Sequence, residues 1–150
     1  MSDEPLTNAA VEAVRAGLCF LNVMERDEVA GAGMTDDFVL EDRRSGVNFG
    51  LLDAAAITEL SKSAWDVGSG RPIWSIPEVI AVRGQRIAAM TVVVDYGNDM
   101  RTDMITCIRL DPQLRLLQRR VQFDPDDRDA AIAELDRMHA EIADEPDTPA

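Results

Sequence analysis

The second half of the chain, Arg71 to Asp129, is a near-continuous run of strand-like sequence in which apolar and polar residues alternate. Only short turns break it: Arg83-Gly84-Gln85, Gly97-Asn98-Asp99 and Asp111-Pro112-Gln113. Connections this short favour antiparallel neighbours, because a parallel partner needs a long crossover. The predicted strands cover 72–83, 86–96, 100–110 and 114–123. Pro77 removes a backbone donor from the first, which makes that strand irregular or an edge. A meander of this kind behind a helical first half makes a curved sheet that wraps a pocket.

The first half supplies the helices. Thr7 or Asn8 can cap a helix running to about Glu25, on which Val11, Val14, Leu18 and Leu21 share one face and Phe20 widens it. Gly17 weakens this helix, which suggests a close packing contact. A turn from Glu25 to Met34, a strand over 39–44 and a glycine-containing loop over 45–50 follow. Asp53 caps a second helix over 54–67, ended by Gly68-Ser69-Gly70. After the strands, Asp124-Pro125-Asp126-Asp127 starts a last helix with Ala131, Leu135, Met138 and Ile142 on one side. The expected fold class is α+β, with one domain over 9–143 between tails at 1–8 and 144–150.

With 150 residues and 46% apolar content, one ordinary core is expected. No segment has the length and apolarity of a membrane span, and the N-terminus lacks the order of a secretory signal. A cytoplasmic location is expected. A net charge of −13 repels nucleic acid and anionic membrane surfaces. Lys62 is the only lysine, and the Arg-, Ala- and Asp-rich composition is associated with bacterial genomes of high GC content. Arg115, Arg119 and Arg120 read as a solvated strand edge or as partners of the acidic ends. Cys19 and Cys107 are far apart and lie among apolar neighbours, so both read as core residues, and a single histidine, His139, gives no zinc set. His139 reads as a surface residue. There is no phosphate loop, no Ser-His-Asp order and no calcium-loop spacing. Neither metal nor cofactor is expected.

Polar residues inside strands are the candidates for chemistry. Arg101 and Asp103 share one strand face. On a concave face they would form an ion pair inside a pocket; on the other they would be a solvated pair beside a turn. Asp95 and Tyr96 point to opposite faces, so only one enters the pocket. Asp95 could act as a base if buried, and Tyr96 could donate to a ligand oxygen. Asp42 and Arg44 share one face of the first strand, with Glu41 and Arg43 on the other, which leaves Asp42 either a pocket acid or part of a surface ion-pair set. Trp65 and Trp74, with Phe20 and Phe38 behind, cap a cavity or fill a core, and Met90, Met100 and Met104 give a deformable lining or plain filling.

The element order, together with Asp36-Asp37-Phe38-Val39-Leu40-Glu41-Asp42-Arg43-Arg44, Phe49-Gly50-Leu51-Leu52-Asp53 and Phe123-Asp124-Pro125-Asp126-Asp127, resembles the nuclear-transport-factor-two-like superfamily, nearest its SnoaL-like group. The resemblance implies a cone-shaped, antiparallel or mixed sheet packed on N-terminal helices, with a cavity at the open end. It also implies a homodimer through the sheet's outer face. Arg101 and Asp103 are similar to the Arg-x-Asp element of limonene-type epoxide hydrolases in that superfamily, but Val121 stands where those enzymes need a second carboxylate. The expected function is a pocket for an apolar or amphipathic small molecule, without catalysis. The alternatives are a cofactor-free isomerase, cyclase or epoxide hydrolase using Asp103 or Asp95 with Arg101 or Tyr96, and a protein-interaction module.

Overall fold

A computed structural model describes residues 6–22, 33–46, 49–67 and 71–143. Helix α1 spans Ala9–Leu21. Asn8 caps it: its side-chain oxygen accepts from the Val11 N–H at 2.9 Å, while its amide donates to the carbonyls of Gly84 and Ile87. One residue therefore both starts the helix and fixes it to the sheet. Strand β1 is Met34–Asp42, and β2 is the short Gly50–Leu52, where the sequence reading placed a loop leading to a helix. Helix α2, Ala54–Val67, is capped as expected by Asp53, which accepts from the Ala56 N–H at 2.8 Å.

The strand predicted over 72–83 is two strands, β3 (Ile73–Ser75) and β4 (Val79–Arg83), separated around Pro77. Both pair with β5, Ile87–Gly97. Strands β6, Met100–Leu110, and β7, Leu117–Phe123, complete the meander. Gly97, Asn98 and Asp99 all have positive φ in the β5–β6 turn, residue types that accept that conformation. The last helix, α3, is Arg128–Glu141, beginning after the Asp-Pro-Asp-Asp turn and not within it.

The sheet is curved, unclosed and mixed, in the order β2-β1-β7-β6-β5-β3 with β4 also on β5. Its one parallel ladder joins β1 to β7, with Leu40 opposite Arg120. Helices α1 and α2 lie on the inner face. There Ala10 and Val11 pack with Ala88, Met90, Val92, Met104 and Ile108. Helix α3 lies on the outer face, where Ala131, Leu135 and Met138 pack on Ile105, Cys107, Val121 and Phe123. Burying each such large aliphatic side chain contributes about 1.5–3 kcal/mol. Both faces of β5 and β6 are therefore apolar along their middles.

Some expectations change here. Cys107 is buried and donates its thiol to the Ala131 carbonyl, but Cys19 is exposed, because it sits off the Val11-Val14-Leu18-Leu21 stripe of α1. Gly17 makes no close contact: a Cβ there would meet nothing within 4 Å. His139 is exposed on α3. Among the described residues, no helix is long and apolar enough to cross a membrane.

Candidate functional site

Between the inner face of the sheet and the two N-terminal helices lies a hollow of two adjoining lobes, 340 and 220 Å³. Leu21, Ile57, Ser61, Trp74 and Arg120 line both. The larger lobe lies towards β2 and α2, against Phe49, Trp65, Tyr96 and Met104. The smaller lies under α1, against Val14, Phe38, Met90 and Ile108. Trp74 is set between them by a two-way bond: its backbone N–H donates to Asn22 Oδ1 at 2.8 Å, and its carbonyl accepts from Asn22 Nδ2 at 3.0 Å. The end of α1 is thereby tied to β3.

Period-two alternation decides which polar groups reach the hollow. On β6 the inward set includes Met104, Thr106 and Ile108, and the outward set includes Arg101, Asp103, Ile105 and Cys107. Arg101 and Asp103, offered as pocket residues or as a solvated pair beside the turn, are the solvated pair and face away from the pocket. They bond to each other at 2.8 Å, with side chains 62% and 48% exposed. Asp95, opposite Arg101 in register, is also exposed, and it accepts from the Gly97 N–H. β6 turns Arg101 and Asp103 outwards, and β5 leaves Asp95 exposed opposite Arg101.

Tyr96, Trp65, Trp74 and Met90 do line the hollow. The side chain of Phe20 lies outside the described residues. Asp42 is buried on the strand face it shares with the lining residue Leu40, but it lines neither lobe and is paired with Arg44. Arg44 Nε and Nη2 donate to its two oxygens at 2.8 Å each, and the Arg44 and Phe49 N–H groups add further bonds. Burial pushes the Asp42 pKa up, but the bonds from Arg44 and from the Phe49 and Arg44 backbone outweigh it and hold the carboxyl below its ordinary value. Asp42 therefore stays ionised and anchors Arg44, whose guanidinium reaches the larger lobe and lies 6.0 Å from the Phe49 ring centroid. Glu41 and Arg43 face outward in an ion-pair set with Arg119 and the buried Glu134.

Sequence reasoning missed the group that dominates the site. Arg120, read as strand edge, projects inward from β7 at the junction of the lobes, its guanidinium 5.8 Å from the Trp74 centroid. Its Nε is buried with no hydrogen-bond partner, and its Nη2 reaches only Met104 Sδ, at 4.0 Å. Burial first, and then the neighbouring Arg44, push its pKa down to about 10, with Tyr96 and Asp42 acting the other way. Ile108 lies opposite it in register, and Thr106, its diagonal neighbour on β6, has a buried hydroxyl that is also without a partner. The signal was present in Arg120-Val121-Gln122-Phe123: apolar residues alternate with polar ones, and the apolar pair lies under α3. Arg120 reads as strand edge or as a partner of the acidic ends because the spacing does not say that the last helix packs on the outer face, over Val121 and Phe123.

No family model matches the sequence, and no curated protein matches it. Solved structures do. A protein of unknown function with a cystatin-like fold from Methylobium petroleophilum PM1 aligns with a TM-score of 0.63 at 17% identity, over 82% of this chain and 80% of that one. BvnE pinacolase from Penicillium brevicompactum aligns with a TM-score of 0.63 at 12% identity, over 88% of this chain and 96% of that one. Rv0760c from Mycobacterium tuberculosis in complex with estradiol-17beta-hemisuccinate aligns with a TM-score of 0.59 at 14% identity, over 81% and 98%.

Proposed function

We propose that this chain, whose fold is that of the nuclear-transport-factor-two-like superfamily, binds an apolar or amphipathic small molecule in the hollow under α1 and α2 without turning it over. The hollow carries this reading. Its larger lobe alone, 340 Å³, falls within the roughly 300–1,000 Å³ of small-molecule sites, which are mostly apolar with a few placed polar groups. The likeness to Rv0760c, solved with estradiol-17beta-hemisuccinate, supports it as a ligand-holding use of the same fold.

The non-catalytic part rests on the carboxylates. An isomerase, cyclase or epoxide hydrolase of the kind expected from Asp103 or Asp95 needs a base facing the substrate. Both are exposed on the outer side of the sheet, and Asp42 is held ionised under Arg44. Among the described residues, no Asp or Glu lines either lobe. The SnoaL-like placement and a cytoplasmic location belong to the same proposal. Self-association through the outer face would use what α3 leaves exposed, the strip around Ile73, Asp95, Arg101 and Asp103 or the end of the sheet at Val39 and Leu51.

Nile red, a neutral dye that brightens in apolar surroundings, tests the hollow. Saturable uptake is expected, weakened by Trp74→Ala and by Gly17→Phe, which puts a ring into the smaller lobe from a site where a Cβ meets nothing. Absence of uptake by the native chain, or uptake untouched by both variants, would refute the reading.

A further inference from the structure

The chain carries a net charge of −13, yet among the described residues the lining of the hollow contains Arg44, Arg115 and Arg120 and no carboxylate. The three differ. Arg44 is neutralised by Asp42 at 2.8 Å. Arg115 is exposed. Arg120 lies at the junction of the lobes, and among the described residues no carboxylate is within bonding distance of it and its buried Nε has no partner. Arg120 is half-buried, and a guanidinium whose covered Nε has no acceptor is disfavoured and calls for a partner. The fork of a guanidinium matches a carboxylate with two parallel bonds. The unfilled Thr106 hydroxyl, on the next inward position of β6, offers a further donor to the same region.

We infer that the ligand of this hollow is an anionic amphiphile: a molecule with one carboxylate, placed against Arg120, and an apolar body that fills the lobes under Trp74, Met90 and Ile108. This rests on the hollow being a binding site and specifies its chemistry. A neutral ligand of the same body would fill the lobes but leave the guanidinium uncompensated. The larger lobe then selects for body shape and Arg120 for the head group.

Decanoate and decanol share a chain and differ in the head, so displacement of Nile red by each separates the two claims. Decanoate is expected to displace at about ten- to hundredfold lower concentration than decanol, the range for a bond to a charged group. Arg120→Met should remove the difference, Arg120→Lys should keep part of it, and Arg101→Met, the same charge change on the outer face, should leave it intact. Equal displacement by acid and alcohol in the native protein would overturn the anionic assignment while the hollow stands as a site. Failure of both to displace bound dye would overturn the hollow reading, and the assignment with it. Should Arg120→Met not fold, the pH dependence of the native protein decides: preference for the acid must vanish as the decanoate head is protonated, and a preference that survives overturns the assignment.

Discussion

Replacing Arg120 with methionine should make the ligand-free protein more stable, although it removes a large inward side chain from β7. The pKa of Arg120 is lowered to about 10, chiefly by burial. A fall of two to three in pKa, at about 1.4 kcal/mol each, sets the penalty on the charged form at about 3 kcal/mol. Two effects reduce what the variant gains. The stacking of the guanidinium over Trp74 is lost, at about 0.5–2 kcal/mol, and water entering the open hollow already relieves part of the penalty. Methionine keeps the chain length that fills the space beside Met104. The expected gain is about 1–2 kcal/mol, or roughly 2–8 °C in Tm for a chain of this size. Urea unfolding followed by far-ultraviolet circular dichroism measures it by linear extrapolation. The sign with pH is fixed. The folded pKa lies below the unfolded one, so the penalty is present in full below about pH 10 and disappears as the pH rises from there towards the unfolded value. The gap between variant and native protein must therefore close above pH 10. Decanoate should reverse the order near neutrality, because a ligand that binds only the native protein stabilises it by mass action. A ligand-free variant less stable than the native chain would refute the reasoning, since Arg120 would then be well satisfied where it sits.

Three further outcomes are expected. Asp42→Asn should destabilise by about 2–4 kcal/mol, because Arg44 loses a buried partner; since the Asp42 pKa is depressed in the fold, that contribution is present above its ordinary 3.8 and lost as pH falls through the folded value, so urea midpoints of native and variant must converge in acid. Arg101→Met and Asp103→Asn should each leave the urea midpoint close to that of the native protein, as for an exposed pair, and leave dye uptake unchanged. Ellman's reagent should titrate Cys19 alone in the folded protein, because burial pushes the Cys107 thiol up to about 12, and release of a second thiol without denaturant would contradict the α3 packing.

Local chemistry made the frame legible. Asn8 and Asp53 cap their helices because short polar side chains satisfy orphan N–H groups, and the Gly97-Asn98-Asp99 turn fixed the β5–β6 register. What period two cannot state is which of its two faces is concave. Both faces of the mid-sheet are covered, one by α1 and α2 and the other by α3, so Ile105 and Cys107 look as core-like as Met104 and Ile108. The placing of Arg101 and Asp103 turned on that one-residue parity. Strand β2 was missed because three residues carry no periodic signal, and the β1–β7 ladder because long-range parallel pairing leaves none.

That ladder has a consequence for how the molecule is made. β1 leaves the ribosome before β2 to β6, and its parallel partner β7 follows only after all of them. A nascent chain must hold β1 and β2 as an open edge while β3 to β6 are still being added. Arg120, whose Nε is buried without a partner, arrives with that closing strand, so the cationic wall of the hollow is added after the apolar walls on β5 and β6. The hollow is thereby closed on this side only once β7 has paired with both β1 and β6.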